Sequence, residues 1–273
     1  TWQWYSEERN VYLVYNKVEQ LTTVETVDNN DAGITMRMID YDSPASLGGS
    51  YGDGNVKQGL LNNVLSNGYP TSKEGRSLAS LFSGGTNVNH LFIKDTYNST
   101  GYYEYSSFEN YAYLGNGSNF TVYNQLGTPK DEEAFFYKRG NFMPYNKIEA
   151  GKFSTNTNLY DENGKELNSS DARYNEKLYL TQGTNYYFGM YMEVNFLQPK
   201  DGYALHNESS NPMIYEFNGD DDLWVYIDDV LVLDIGGIHD AHSGYINFAT
   251  GDVHVECIDS SGANQNTTIK QMY

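Results

Sequence analysis

The chain has 273 residues, and its 36 acidic against 17 basic side chains give a formal net charge of −19, a length that fits one large domain or two small ones. A field of that sign repels phosphate backbones and anionic headgroups, so nucleic acid is excluded as an expected partner. No apolar stretch approaches the length that crosses a bilayer, so membrane insertion is not expected either.

The chain is predicted to consist of a short N-terminal extension and one domain. Residues 1–31 have strand-like patterns and are interpreted as an N-terminal extension or as the end of a preceding domain. Residues 32–273 are predicted to form one domain. Its first clear strand is expected where Ile34, Met36 and Met38 alternate with polar residues, because alternation is typical of a half-buried strand.

A small helical insertion is predicted after this first strand. The apolar residues between Val56 and Leu65 recur at helical spacing, and the turn residues Gly68–Pro70 would end the helix. A shorter helical turn is expected at Leu78–Phe82.

The second half of the chain predicts strands more clearly. Tyr187–Phe196 alternates over ten residues, and Met213–Phe217 and Leu223–Ile227 also have strand patterns. The apolar run Val230–Leu233 indicates burial on both faces, and Asp228-Asp229 predicts a tight hairpin turn before it. Many short strands joined by Gly, Asn and Asp turns predict an all-β fold, most simply an antiparallel β-sandwich.

The chain has a single cysteine, Cys257, so an intramolecular disulfide is impossible. Its position next to the core of a predicted strand, in Val253–Ile258, predicts a buried structural thiol. A secreted domain without disulfides differs from most small extracellular modules of eukaryotes, and it is typical of a bacterial surface protein with a large core and a bound metal.

The most informative stretch is GDDDLWVYIDDVLVLDIGGIHD, which begins at Gly219. If its two strands pair, Asp220–Asp222 lie beside Asp234 and the Gly236-Gly237 backbone. Crowded carboxylates repel one another, and Ca²⁺ relieves the repulsion because it takes six to eight oxygen ligands. The alternative is an acidic turn with no ion. On spacing alone the two interpretations are about equally supported.

Two further groups of residues suggest binding chemistry. His239, Asp240 and His242 have a spacing that a transition metal could use, but we favour a His239 that bonds to loop backbone or orients a calcium-binding aspartate. Tyr145 and Asn146 could stack on and hydrogen-bond to a sugar, and the alternative of a packed turn fixed by a preceding proline is favoured.

Several blocks of sequence resemble the fibro-slime domain, a branch of the PA14-like family of bacterial surface proteins, in that family's usual order. The blocks are NVKQGLLNNVLSNGYP (55–70), NHLFIKDTYNSTGYYEYSS (89–107), NFMPYNKI (141–148), YYFGMYMEVNFLQPKDG (186–202) and the segment 219–251. The resemblance implies a PA14-like antiparallel β-sandwich. It also implies that Asp220 and Asp221, joined by a cis peptide bond, bind a calcium ion that binds sugar hydroxyls.

The chain departs from the family in two respects. Asp222 stands where PA14-like lectins often have glycine, so a third carboxylate could fill a coordination position that sugar would otherwise use. The chain also stops at Tyr273, before the family's further aromatic-rich strands, which suggests that a partner segment could add a strand at the C-terminal edge of the sheet.

These observations together predict a calcium-dependent carbohydrate-binding or adhesion module of a bacterial cell-surface protein, located outside the cell or in the cell wall. The metal ligands would be Asp220, Asp221, Asp222 and Asp234, and the ligand would be a glycan or another surface molecule of a host or neighbouring cell. Gly236, Gly237, His239, Tyr145 and Asn146 are the residues predicted to contact that ligand. We expect no enzymatic activity. The alternative is a structural stalk or filament module whose calcium only stabilises it and whose partner is a protein.

Overall fold

The computed structural model describes residues 23–41, 55–124, 142–146, 148–150, 159–160, 166–167, 178–180, 185, 187–237, 239–256 and 265–269. These residues form mostly β-strands in several antiparallel sheets, with two short helices, which confirms the predicted all-β class. The chain divides into two compact units. The first comprises Thr1–Met38, Thr86–Phe188 and Met192–Val194, and the second comprises Ile39–Gly85, Gly189–Tyr191 and Asn195–Tyr273.

The strands and helices are short, as expected for a chain rich in turn residues. The strands are β1 Ile34–Asp40, β2 Thr86–Val88, β3 Asn110–Tyr113, β4 Thr121–Asn124, β5 Ile148–Ala150, β6 Leu159–Tyr160, β7 Glu166–Leu167, β8 Leu178–Leu180, β9 Phe188–Val194, β10 Tyr203–His206, β11 Ser209–Pro212, β12 Ile214–Gly219, β13 Leu223–Ile227, β14 Val230–Ile235, β15 His242–Asn247, β16 Asp252–Val255 and β17 Gln265–Thr268. The helices are α1 Ala79–Phe82 and α2 Lys94–Thr100.

The first unit is built around β1, which lies between β2 and β9 in a three-stranded sheet. Ile34, Met36 and Met38 are buried while the residues between them are less so, which confirms the predicted alternation. β9 confirms the strand predicted within Tyr187–Phe196. The buried cluster of this unit consists of Met36, Met38, Val88, Leu91, Ala112, Leu114, Phe120 and Val122.

The second unit contains the four-stranded sheet β12-β15-β16-β17 and the hairpin β13-β14. Asp228 and Asp229 both have positive φ, 47° and 66°, as the predicted tight turn requires. Leu231 to Leu233 are all buried, as the continuous apolar run predicted. The hairpin packs on the sheet, because a Cβ on Gly244 of β15 would lie 2.6 Å from Cδ1 of Ile235 in β14.

The predicted helix between Val56 and Leu65 is wrong, whereas the predicted turn at Leu78–Phe82 is confirmed by α1. The segment from Val56 to Leu65 instead runs along the hairpin in irregular conformation. The amide of Leu65 donates to the Asp229 carbonyl at 2.9 Å, and the amide of Leu231 donates to the Asn63 carbonyl at 2.7 Å. These bonds to the hairpin replace the internal bonds of a helix, since short isolated helices are marginal in water.

Cys257 lies outside the described residues, so its predicted burial stays a prediction. The proposed domain boundary near residue 31 also stays a prediction. Among the helices that the structure describes, neither has the length and apolar character needed to cross a bilayer.

Candidate functional site

The candidate site is built at the open end of the hairpin β13-β14. Trp224 of β13 pairs with Asp234 of β14, and Leu223 pairs with Ile235. Asp220–Asp222 immediately precede β13, so the antiparallel register places them at the same end of the hairpin as Asp234. Gly219, at the end of β12, pairs with His242, at the start of β15. The loop between β14 and β15 therefore ends beside the acidic residues that follow Gly219.

Three carboxyl groups at this end, those of Asp221, Asp222 and Asp234, hold their protons more tightly than usual. Loss of contact with water is the largest cause, and it raises the pKa of Asp221, Asp222 and Asp234. The pKa of Asp222 rises to about 6, although the positive charge of His239 opposes the rise, and the charges of Asp221 and Asp234 add to it. The charge of Asp220 likewise raises the pKa of Asp221. These carboxylates therefore lack enough positive charge nearby to offset their burial and mutual repulsion.

Asp234 has two oxygens in different situations. Its Oδ2 accepts a hydrogen bond from the Gly59 amide at 2.7 Å, and its backbone carbonyl accepts one from Nε2 of Gln58 at 3.0 Å. Its Oδ1 is buried without a hydrogen-bond partner, as is Nε1 of Trp224. The Gly59 amide, the Trp224 indole and the Gly236 amide all lie close enough to lower the pKa of Asp234, although burial outweighs them and no donor meets Oδ1 in hydrogen-bond geometry. An unpaired buried carboxylate oxygen is costly, so this atom is suited to a cation or a water.

The two glycines after Asp234 permit close packing around it. A Cβ on Gly236 would lie 3.0 Å from Nε1 of Trp224 and 3.2 Å from Oδ1 of Asp234. A Cβ on Gly237, whose φ is 97°, would lie 2.9 Å from Cβ of Lys57. The Gly236 carbonyl accepts a hydrogen bond from the Lys57 amide at 2.6 Å. The neighbours of these two glycines are therefore protein atoms, and the predicted ligand contact at Gly236 and Gly237 stays a prediction.

His239 is buried, and its ring contacts loop carbonyl oxygens. Nδ1 lies 2.7 Å from the Asp240 carbonyl oxygen, and Nε2 lies 3.4 Å from that of Ile235. Its ring centroid is 5.4 Å from that of His242. These backbone contacts agree with the favoured prediction for His239 and leave the transition-metal alternative without support.

Tyr145 and Asn146 belong to the first unit and pack within it. The ring of Tyr145 meets that of Phe188 edge-on, with centroids 5.9 Å apart, and joins the buried cluster of that unit. Asn146 is 1% exposed, and its Oδ1 accepts a hydrogen bond from the Asn185 amide at 2.9 Å. Both residues therefore match the packed turn, which was the favoured alternative to sugar contact.

Two findings limit the metal prediction. The Asp220–Asp221 peptide bond is trans, because no cis bond occurs in the described residues, so the cis geometry implied by the resemblance is wrong here. Within the same residues, no three His, Cys, Asp or Glu side chains lie close enough to hold one ion. Carboxylate oxygens are the donors that a hard cation prefers, but among the described residues they are not gathered around one position.

Sequence reasoning missed the segment that covers this site. We call residues Lys57–Gly59 the strap, because they cross the end of β14 and bond to Asp234 and Gly236. The helical spacing of the apolar residues around it predicted a helical insertion, with no indication that this segment bonds to the hairpin. The available signal in the sequence was the glycine at position 59, because glycine is common in turns and disfavoured inside helices. In the structure Gly59 has a φ of 79°, which a helix does not allow.

The chain is distantly homologous to psi proteins of Dictyostelium discoideum. It is 39% identical to protein psiF over 69 residues, which are 24% of this chain and 10% of that protein. It is 28% identical to protein psiJ over 193 residues, which are 68% of this chain and 23% of that protein, and 38% identical to protein psiD over 84 residues, which are 31% and 14%. The matched segments thus span less than a quarter of each relative. No family model matches the chain. No solved structure matches it either.

Proposed function

We propose that this chain is a calcium-dependent carbohydrate-binding or adhesion module of a cell-surface or secreted protein, of the PA14-like fibro-slime type. The proposal extends the sequence resemblance to the acidic end of the hairpin β13-β14. The relatives found are Dictyostelium proteins, so a bacterial origin stays a prediction from the resemblance. The strand-adding partner at β17 and the lack of enzymatic activity also stay predictions.

One observation carries the proposal, namely the unneutralised acidic charge around Asp234. Asp221, Asp222 and Asp234 all have a raised pKa, and Oδ1 of Asp234 is buried without a partner. An acidic turn with only a solubilising role would leave its carboxylates hydrated, with little change in pKa. A divalent cation at this end of the hairpin would offset the repulsion among these carboxylates and give Oδ1 a partner.

Calcium, when bound, would supply a positive charge that offsets this repulsion and open coordination positions that accept vicinal hydroxyls of a sugar. Asp221 and Asp222 would hold it from the loop before β13, with Asp220 as a further exposed donor. Asp234 would hold it from the end of β14. The glycines at 236 and 237 serve packing in this proposal, because the Gly236 carbonyl already bonds to the strap.

A specific observation also favours the alternative, a structural module in which calcium only stabilises the loops. The strap bonds to Oδ2 of Asp234 and to the Gly236 carbonyl, so protein groups already occupy part of the space around the site. Asp222 adds a carboxylate where the family often has glycine. Both features would leave fewer positions open to a sugar.

The test is a glycan array probed with the labelled chain in calcium and in chelator. The variant Asp221→Asn removes one proposed ligand, and Asp95→Asn is its control, because it removes the same charge from the exposed surface of α2 in the other unit. We expect wild type and Asp95→Asn to bind glycans in calcium only, and Asp221→Asn to lose that binding.

Glycan binding that persists in chelator would contradict the calcium mechanism. Calcium binding without glycan binding on the array would favour the structural module over the carbohydrate-binding one.

A further inference from the structure

We propose that the outer face of the four-stranded sheet β12-β15-β16-β17 is a docking surface for an arginine side chain of a partner protein. The arginine would stack on the ring of Tyr245 and pair with the carboxylate of Glu216. Neither residue belongs to the acidic end of the hairpin β13-β14, so this docking surface is independent of the calcium proposed there.

The outer face is the side of the sheet that points away from the buried cluster of the second unit. The inward residues belong to that cluster or pack against it, and they are Tyr215, Phe217, Ile246, Val253 and Val255. The residues between them point to the outer face, because successive side chains of a strand alternate. Register places Glu216 of β12 opposite Tyr245 of β15, and Tyr245 opposite His254 of β16. His254 is in turn opposite Asn266 of β17, so one row of side chains crosses all four strands.

The middle of this row is an ordered pair of rings. Those of Tyr245 and His254 are stacked, with centroids 5.2 Å apart and planes inclined by 24°. Nδ1 of His254 donates a hydrogen bond to Oδ1 of Asn266, which holds the imidazole in place. Because His254 covers one face of the Tyr245 ring, the other face is turned towards β12, where Glu216 is directly opposite. A planar group stacked on that face would lie within reach of the Glu216 carboxylate.

The charge of the outer face indicates a cationic partner. Glu216 is exposed, as are Asp252 and Glu256 at the two ends of β16, and the four strands contain no Lys or Arg. Such a surface attracts a cation and repels an anion. Arginine fits better than lysine, because a planar guanidinium can stack on an aromatic ring while it donates to a carboxylate. The ammonium group of lysine is compact and strongly hydrated, so it gains less from the ring.

An acidic face that is only solvated is the competing interpretation, and matched substitutions separate the two. Glu216→Gln removes the carboxylate opposite Tyr245. Glu208→Gln is its control, because it removes the same charge from another exposed position of the same unit, the turn between β10 and β11. Tyr245→Leu removes the ring and keeps an apolar side chain. A melting curve for each variant shows that it is folded.

The experiment is an NMR titration in chelator at constant ionic strength with three blocked Gly-X-Gly peptides, in which X is arginine, lysine or citrulline, the uncharged analogue of arginine. We expect the arginine peptide to bind saturably, to shift the ring resonances of Tyr245, and to bind more tightly than the other two. Glu216→Gln and Tyr245→Leu should each weaken its binding about three- to fivefold, and Glu208→Gln should leave it unchanged.

Equal affinity of the wild type for the arginine and lysine peptides, or for the arginine and citrulline peptides, would overturn the arginine docking surface. Equal weakening in Glu216→Gln and Glu208→Gln would overturn it as well, since general acidity would then account for the binding. A wild-type chain that does not bind the arginine peptide would have the same consequence, and none of these results would bear on the calcium proposal.

Discussion

Asp222 is an exposed residue whose carboxyl group nevertheless behaves as partly buried. Burial raises its pKa from an ordinary 3.8 to about 6, with contributions from the nearby charges of Asp221 and Asp234. A carboxyl that binds its proton more tightly in the folded chain than in the unfolded one favours folding when protonated. Its contribution to stability is therefore fully present below about pH 4 and is lost as the pH rises through about 6.

The variant Asp222→Asn should show this behaviour directly. In chelator at pH 7 we expect the variant to be more stable than wild type, by about 1 kcal/mol at most because water screens an exposed carboxyl. The difference should shrink as the pH falls below about 4, because Asp222 then becomes mostly protonated in both states. Thermal melts of both proteins across this pH range measure the effect, and a pH-independent difference would contradict it.

The neighbours of Gly236 leave little room for a side chain at that position. A methyl group there would lie 3.0 Å from Nε1 of Trp224 and 3.2 Å from Oδ1 of Asp234, which is tighter than ordinary contact. We expect Gly236→Ala to reduce the free energy of unfolding by about 1–3 kcal/mol, as overpacking commonly does. Gly84→Ala is the control, since nothing lies within 4 Å of its added methyl. Chemical denaturation of both variants measures the difference, and equal stability would show that the pocket around Asp234 is loose.

At the level of elements, the hairpin could be predicted from sequence and the strap could not. The strand pattern of Leu223–Ile227, the apolar run Val230–Leu233 and the Asp228-Asp229 turn specify β13 and β14 locally, because strand patterns and turn chemistry depend on neighbouring residues. The conformation of Val56–Leu65 depends on hydrogen bonds to the hairpin, whose residues lie more than 160 positions later in the chain. Helical spacing in that segment reflects which side chains pack inward, and a local pattern cannot show that the partner is a hairpin.

Only the local part of the candidate site could be predicted from the sequence. Register places Asp220–Asp222 and Asp234 at one end of the hairpin, and this could be inferred from the two strands alone. The hydrogen bond that occupies one oxygen of Asp234 comes from the strap, which lies 175 positions earlier in the chain and could not be placed there from the sequence. Tyr145 and Asn146 were drawn into the predicted site by residue type, although their packing belongs to the core of the other unit.

The segment from Val56 to Leu65 is expected to contribute to stability through one residue above all. Leu61 is completely buried, whereas Val64 in the same segment is 55% exposed. Leu61→Ala should lower the free energy of unfolding by about 2–5 kcal/mol, through lost burial and the cavity left behind. Val64→Ala should change it by less than about 0.5 kcal/mol. Urea denaturation compares the two, and similar small losses would mean that this segment is not firmly packed.

The whole molecule carries a net charge of −19, so any cation screens its self-repulsion and raises its stability to some extent. A general response to salt is thus not a sign of a calcium site. A specific calcium site differs from screening because calcium binding saturates at a defined stoichiometry when the ionic strength is constant. Calcium binding at such a site also depends on particular carboxylates, whereas loss of one charge among 36 acidic residues barely changes general screening.

The most direct test is a calorimetric titration of the chelator-treated chain with calcium at constant ionic strength, using wild type, Asp221→Asn and Asp95→Asn. The carboxylates around Asp234 are predicted to bind one calcium ion per chain in wild type and in Asp95→Asn, and at least about tenfold more weakly in Asp221→Asn. A wild-type chain that takes up no calcium at a defined stoichiometry, or an Asp221→Asn variant that binds it as tightly as wild type does, would contradict the account.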